Sequence, residues 1–448
     1  MAKVPEPVLP PLKITPKGKW TPEQFQALKY EAGFNESVFM LADMIERRTA
    51  KALLDYTRDA VAIRYEIDGI WHPLPPRDRM SGDAILVSLK KLSELNPLDR
   101  RSRQESEFKM TLHGIKYRLR TTAQGTPTGE RVLLEILDDS VKLDSLNDIG
   151  MREGLQKILK GWLAQPKGLI VFSAPTNSGL RTTWRAGLQA ADRFIRDFVM
   201  IRDASAPKED EIINVDAKVF DPAKGETAQK LLTELLLKQP DAIVLPDVKD
   251  PETLAMLVGQ CQDEDKLVVT RIRANTAVEA ALRLRQLAGK ENAAKYADAL
   301  IGVVNQRLIR KLCEQCKQPF QPPPQLLQRL GIPPGRVEVL FQEKQPLSQA
   351  ELEALKAQKQ EPPPPCYYCG AIGYRGRTGV FELVEATPDF KRALMERPQA
   401  EVLTQVAKKD SAKTGARGIQ EEAILAVAKG DTSIQEVQRV LRGGQQQA

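Results

Sequence analysis

The chain has 448 residues, of which 42% are hydrophobic, 28% charged and 5% aromatic. That length suits about three domains, the balance excludes a disordered or fibrous chain, and so few aromatics argue against a stacking surface for single-stranded nucleic acid. A formal charge of +7 permits contact with phosphate or an acidic membrane surface without demanding it, and two histidines, His72 and His113, exclude a histidine-rich metal centre.

Residues 1–32 are rich in proline and lysine and read as a tail with one short helix. They lack the apolar core of a signal peptide, and no apolar run approaches the roughly 20 residues of a membrane span. A cytoplasmic protein is expected. Apolar residues at helical spacing (Val38, Leu41, Met44, Ile45, Ala52, Leu53) predict a helix from Ser37 to Tyr56. VAIRYEIDGIWHPL alternates around Asp68-Gly69 and predicts a β-hairpin. A helix from about Gly82 to Leu95 and the strand-like FKMTLHGIKYRLRTT and ERVLLEILD complete a small α+β domain over 33–140. Residues 141–150 read as a linker.

From residue 151 the rhythm changes. A helix at 152–164, the short buried strand GLIVFSAP and the turn TNSG lead to a helix from Leu180 to Phe194. The strands FVMIRD, DAIVLPDV and KLVVTRIR follow, with helices near 226–238, 251–260 and 276–289. Alternating strands and helices predict a three-layer α/β domain over 151–312, closed by ALIGVVNQRLIRKL as a helix. Residues 313–385 carry two cysteine pairs and a proline-rich insert. Residues 386–442 read as helices punctuated by Gly415, Gly418 and Gly430, and 443–448 as a floppy tail.

GLIVFSAPTNSGLRTTW has the order of a phosphate-binding loop: buried strand, turn, helix. Backbone N–H groups of such a turn bind phosphates, a lysine reaches the terminal phosphates, and the next hydroxyl binds magnesium. Against G-x-x-x-x-G-K-[ST], Ala174 takes the first glycine position, Gly179 keeps the second, Leu180 takes the lysine position and Arg181 the hydroxyl position. Candidate nucleotide contacts are Pro175, Thr176, Asn177, Ser178, Gly179, Leu180, Arg181 and Thr182. By itself this pattern is also that of an ordinary strand-to-helix turn.

Cys313, Cys316, Cys366 and Cys369 form C-x2-C…C-x2-C with 49 residues between the pairs. Four thiolates and no open position suit a structural zinc. The spacer is longer than usual, and the prolines at 322–324 and 362–365 can loop out the excess. The alternative is two unrelated reduced pairs. Cys261 stands alone and reads as a thiol in the helix before KLVVT.

Taken together, these segments resemble the secretion-type ATPases of type II secretion and type IV pilus assembly. Their loop GPTGSGKSTTL is matched by APTNSGLRTTW, their Walker B region DPDVVMVGEIRD by QPDAIVLPDVKD, and GHLVLSTLHTN by DKLVVTRIRAN. VNQRLIRKLCEQC, CYYCGAIGYRGRTGVFEL and KGDTSIQEVQRV follow the family's cysteine module and last helices. The likeness runs in one order from about residue 36 to 442. It implies a RecA-like P-loop NTPase core preceded by a PAS-like α+β domain and followed by a tetracysteine zinc module and C-terminal helices. It also implies ATP or ADP with Mg2+ as ligands, a ring hexamer and an inner-membrane platform protein as partner. Arg120 and Arg131 (the latter the arginine of the family's GER) would lie near the seam between subunits.

The departures touch the chemistry. Besides Leu180 and Arg181, Pro246 replaces the glycine before the Walker B acid, and Asp247 stands for its glutamate. The family's IEDPVE is IRDASA, so Arg202 and Ala206 take the glutamate positions and only Asp203 survives. Lys266 and Arg273 replace two histidines, and Glu107 the arginine of QDGR. Phosphoryl transfer is mostly positioning and charge stabilisation, and the groups that would hold nucleotide and magnesium are replaced together. The expected function is a pseudo-ATPase, with Asp247 and Asp203 as vestigial acids, in a homo-hexamer or a mixed ring with an active paralogue. Arg181, Arg271 or Arg273 reaching a phosphate would instead leave an active or weakly active motor. A zinc-containing nucleic-acid-binding protein is the rival class; no nucleic acid is expected, because basic residues are interleaved with acids, as in DRRSRQESEFK.

Overall fold

The structure, a computed structural model, describes residues 9–138, 140–204, 212–345, 347–358 and 360–443. The chain forms two compact units, Met1–Lys142 and Leu143–Ala448.

The first unit contains β1 (Lys13–Thr15), α1 (Pro22–Lys29), α2 (Phe34–Glu46), β2 (Thr49–Tyr56), β3 (Ala60–Ile67), β4 (Ile70–Asp78), α3 (Arg79–Leu92), β5 (Gln104–Leu112), β6 (Ile115–Thr126) and β7 (Gly129–Asp138). Its strands make one seven-stranded antiparallel sheet in the order β1-β5-β6-β7-β2-β3-β4. The β3–β4 hairpin turns at Asp68 (φ 50°) and Gly69 (φ 82°), the two left-handed residues that a two-residue hairpin turn requires. One sheet face buries Leu54, Phe108, Leu119 and Leu134. Lys13–Thr15 pairs with β5, so part of the segment expected as a tail extends the sheet.

The helix predicted over Ser37–Tyr56 is corrected. It ends at Glu46, Arg48 turns the chain at φ 59°, and Thr49–Tyr56 is a strand. Ala52, Leu54 and Tyr56 are buried at alternate positions, a period of two that the apolar spacing had masked.

The second unit runs through α4 (Glu153–Leu163), β8 (Gly168–Ala174), α5 (Leu180–Gln189), β9 (Phe198–Asp203), β10 (Asp216–Phe220), α6 (Ala228–Leu236), β11 (Ala242–Leu245), α7 (Pro251–Asp263), β12 (Leu267–Arg273) and α8 (Ala277–Ala299). β13 (Leu300–Leu312), β14 (Gln318–Phe320), α9 (Pro324–Leu330), β15 (Leu340–Gln342), α10 (Gln349–Ala357), β16 (Tyr374–Glu385), α11 (Pro388–Glu396), α12 (Ala400–Thr414), α13 (Ile419–Ala428) and α14 (Ile434–Gly443) follow. The main sheet has the order β10-β9-β11-β12-β8-β13-β16. It is parallel except for β16 at the edge. All seven residues of β8 are buried, as a central parallel strand with helices on both faces demands. Leu232, Leu254 and Leu284 of α6, α7 and α8 share one core cluster. Leu159 and Trp184 of α4 and α5 belong to the cluster on the other face.

ALIGVVNQRLIRKL is the second correction: β13 is a strand of 13 residues, not a helix. It lies between β8 and β16 and is buried on both faces for most of its length, so it carries no clean alternation to read. Its β-branched Ile301, Val303, Val304 and Ile309 suit a strand. Two helix ends also move. α5 stops at Gln189, and α8 continues past Gly289 (φ 73°), which breaks its regular geometry, to Ala299.

Candidate phosphate loop and cysteine cluster

Residues 175–179 join β8 to α5 as the sequence predicts. Asn177 (φ 60°) and Gly179 (φ 81°) are left-handed. The Ser178 N–H donates to the Pro175 carbonyl at 3.3 Å and the Thr183 N–H to the Gly179 carbonyl at 3.1 Å, closing the first helical turn. A Cβ on Gly179 would lie 3.3 Å from Leu308 Cδ1, so both its φ and its surroundings select glycine. The strand–turn–helix order of such a loop is therefore present. At the lysine and hydroxyl positions of the pattern stand Leu180 and Arg181. Leu180 is partly buried and packs against the apolar cluster that contains Phe172 and Trp184. Arg181 and Thr182 are half-buried on the first turn of α5.

β12 separates the loop strand β8 from β11, which leads to Asp247. Arg271 on β12 links the two sides. Its guanidinium stands 4.7 Å from the Trp184 ring centroid on α5 and 3.9 Å from the Asp247 carboxylate. The Arg271 side chain is 10% exposed and that of Asp247 63%. Arg273 pairs in register with Ala174, where the loop begins, and its side chain is exposed. Lys266 precedes β12, at the end of the sheet remote from the loop.

Asp203 ends β9 and accepts from Lys249 at 3.3 Å. Asp203 and Asp247 line a cavity of about 270 Å3 with Leu245, Phe220, Glu226 and Thr253. Residues 175–182 do not line it. Ile201 and Leu245, on that side of the strands, share the cluster of α6 and α7, whereas Met200 and Val244 share that of α5. By the same alternation Arg202, 7% exposed, lies on the α5 side. By that alternation Asp203 lies on the face away from the loop helix, whereas Asp247, beyond the end of β11, is within reach of Arg271 on the α5 side. Nearby, burial pushes the Asp250 carboxyl up, but hydrogen bonds from Thr253 and Gln229 outweigh it and hold the group below the usual carboxylate range. Asp250 is thereby committed to capping α7. Ala206 lies outside the described residues.

In the first unit, Arg120 and Arg131 sit among carboxylates of the same sheet. Glu107, Arg120, Glu135 and Lys51 are cross-strand neighbours on β5, β6, β7 and β2. Arg120 is 3.9 Å from Glu107 and 3.8 Å from Glu135, and Lys51 is 3.5 Å from Glu135. Arg131 forms a salt bridge with Asp55, which also holds Arg64 at 2.6 Å.

The two cysteine pairs meet despite their long spacer. Sulfurs of Cys313, Cys316, Cys366 and Cys369 all lie within 4.8 Å of one another, with Cys313–Cys366 at 3.9 Å and Cys316–Cys369 at 3.7 Å. A tetrahedron of thiolates about 2.3 Å from zinc needs sulfurs about 3.8 Å apart, so the cluster fits that ion. Cys261 is buried in α7 away from the cluster, and burial pushes its thiol up to about 12, which makes it an inert core residue.

Two contacts to the loop escaped the sequence reading. Gln306 Nε2 on β13 donates to the Ser178 carbonyl, and Leu308 bears on Gly179. Both belong to the stretch whose sequence predicts a helix, and the β-branched enrichment in LIGVVNQRLI is the signal for a strand there.

Residues 36–439 match the family described as "Type II/IV secretion system protein". Three similar proteins are the "Type IV pilus assembly ATPase PilB" of Thermus thermophilus, the "Protein transport protein HofB homolog" of Escherichia coli and the "Type II secretion system ATPase E" of Vibrio cholerae. The first is 27% identical over 84% of this chain, which spans only 39% of that protein's length. The second is 28% identical over 90% of this chain and 80% of its own length. The third is 27% identical over 90% and 74%. Among solved structures, the Legionella pneumophila ATPase DotB gives a TM-score of 0.57 at 12% identity, covering 91% of this chain and 96% of that one. The pilus retraction motor PilT with bound ADP gives 0.51 at 15% identity, covering 90% and 95%. At such identities these two likenesses speak for a shared α/β P-loop ATPase fold alone.

Proposed function

The chain belongs to the type II/IV secretion system protein family, and from that premise we propose that it is a pseudo-ATPase, a member with nucleotide hydrolysis lost or greatly reduced, acting through contacts in a type II secretion or type IV pilus machine. The observation that carries this reading is Leu180. At the lysine position an aliphatic side chain packs against the core cluster and brings no charge to a terminal phosphate. Arg181 offers no oxygen to magnesium, and the Asp247 carboxylate faces the Arg271 guanidinium. Arg120 and Arg131 lie beside carboxylates of their own sheet, which lowers the charge they can offer a neighbour's nucleotide.

In this reading residues 33–140 are the PAS-like domain, 151–312 the nucleotide domain, 313–385 the zinc module and 386–442 the C-terminal helices. The four thiolates hold a structural zinc that ties two distant segments together. The chain forms a homo-hexamer or enters a mixed ring with an active paralogue, on the cytoplasmic side of an inner-membrane platform protein. Among the described residues no helix is long and apolar enough to cross a membrane, so that protein supplies the membrane attachment in this scheme.

Calorimetric titration of ATP and ADP tests the reading. The wild type is expected to give no heat of binding at concentrations where Leu180→Lys binds, because in this reading the turn still offers its backbone N–H groups and the variant restores the cation. Tight magnesium-dependent binding by the wild type would overturn it.

A further inference from the structure

β13 bonds to both the loop strand and the strand leaving the cysteine cluster. It pairs in parallel with β8, where Asn305 lies opposite Ser173, one residue before β8 ends. On its other edge it pairs antiparallel with β16, from Gly302 opposite Glu385 to Leu312 opposite Tyr374.

Its middle touches the loop. Gln306 is 1% exposed, its amide nitrogen donates to the Ser178 carbonyl, and its Oε1 has no hydrogen-bond partner among the described residues. That one bond and the surrounding packing fix the amide. Leu308, two residues on and facing the same way, bears on Gly179.

Its end belongs to the cysteine cluster. Cys313 directly follows Leu312, and Cys369 comes shortly before Tyr374, the first residue of β16. The Cys313 N–H donates to the Gly373 carbonyl at 2.9 Å, and the Leu312 N–H to the Asp431 carbonyl at 2.8 Å. Each C-x2-C therefore sits at one end of the β13–β16 pair, so an ion held by all four sulfurs fixes how the two strands meet. The register shifts between Arg310 and Leu312. Such an irregularity is where a paired strand can bend or change its twist.

We propose that the metal state of the cysteine cluster is communicated to the phosphate loop along β13, with Gln306 as the residue that positions the loop. This rests on the zinc reading above. The two arrangements are the metal-tied strand pair and a relaxed one in which the irregularity at 310–312 readjusts. Gln306 lies seven residues, about 23 Å, from Cys313. Over that length β13 stays paired with β16, and beyond Gln306 towards the N-terminus it is also paired with β8, so a displacement at the cluster end is carried along the strand to the loop. At Gln306 the displacement has one polar outlet, the bond to Ser178.

Hydrogen exchange on the full chain, read by mass spectrometry before and after zinc removal with a chelator, tests this. Removal is expected to speed exchange in 313–320 and 366–376, and also in 176–183, there by roughly five- to tenfold, the loss of about one hydrogen bond. Gln306→Glu keeps the size of the side chain but removes the donor. With metal retained it should speed exchange in 176–183 by a similar factor, and the loop should then ignore the chelator. Gln306→Ala should match Gln306→Glu; a loop disturbed only by Gln306→Ala would assign the contact to packing and overturn the positioning role. A metal-loaded wild type whose loop exchange ignores the chelator overturns the coupling and leaves the zinc reading standing. Elemental analysis that finds no zinc in protein purified without chelator overturns the zinc reading and the coupling with it.

Discussion

Glu130 and Arg131 are neighbours in sequence, yet alternation along β7 sends them to opposite faces of the sheet. Arg131 points outward to Asp55. Glu130, 3% exposed, points inward and forms a salt bridge with Lys90 of α3, which is fully buried. Lys90 also donates to the Asp99 carbonyl at 2.8 Å, so the pair ties the loop after α3 to the sheet. Removing one partner of such a pair strands a charge in a dry interior, which costs about 3–5 kcal/mol, whereas replacing both with apolar residues is often neutral or stabilising. Glu130→Ala is therefore expected to move the first unit's urea transition by several kcal/mol, and Glu130→Leu with Lys90→Met to recover most of it. Equal losses in the single and double variants would show that packing volume, not charge, sets the stability there. The sequence made Arg131 conspicuous through the family motif. The role of Glu130 was hidden, because its partner sits 40 residues away on a helix.

Elements announced by local chemistry were readable: the Asp68-Gly69 turn, the apolar run of β8 and the strand–turn–helix around Gly179. Those whose character depends on neighbours were not. β13 is a strand because β8 and β16 pair with its two edges and a core cluster buries each of its faces, and that information lies outside LIGVVNQRLI. The cysteine cluster was legible as two knuckles, but that they flank a strand pair of the main sheet was not. α14 docks on this same strand. Glu436, fully buried on α14, accepts from the Arg310 backbone and guanidinium at 3.0, 2.9 and 2.7 Å, and from Arg439 at 2.8 and 2.6 Å. Burial alone would raise its pKa, but hydrogen bonds from Arg439 and Arg310 outweigh that and hold it below the ordinary 4.5. A depressed folded pKa means that the unfolded chain binds the proton more readily. The stabilisation is thus full above the ordinary value and fades as pH falls through the folded value. Glu436→Gln should lower the melting temperature clearly at pH 7, and the gap from wild type should close as the pH drops below about 4. A gap independent of pH would locate the effect in shape rather than charge.

Across the molecule, the proposed loss of hydrolysis rests on substitutions in three separate stretches of chain. Leu180 and Arg181 stand at the family's lysine and hydroxyl positions, Arg202 near the end of β9 and Ala206 beyond it in sequence stand at its glutamate positions, and Pro246 and Asp247 follow β11 in place of glycine and glutamate. Each group of this kind is worth about two to five powers of ten in rate. Groups that act as a unit do not contribute additively, so restoring one leaves the rest of the deficit in place. Leu180→Lys is accordingly expected to gain nucleotide binding but no measurable phosphate release. Turnover should return only when Arg181→Ser, Arg202→Glu, Ala206→Glu, Pro246→Gly and Asp247→Glu are added. The restored set also has to displace Arg271 from the Asp247 position, 3.9 Å away, before magnesium can approach. Phosphate release by the single variant would mean that the missing acids are supplied from elsewhere in the assembly. Magnesium-dependent release by the wild type, abolished by Asp247→Ala, would mean that the chemistry was never lost.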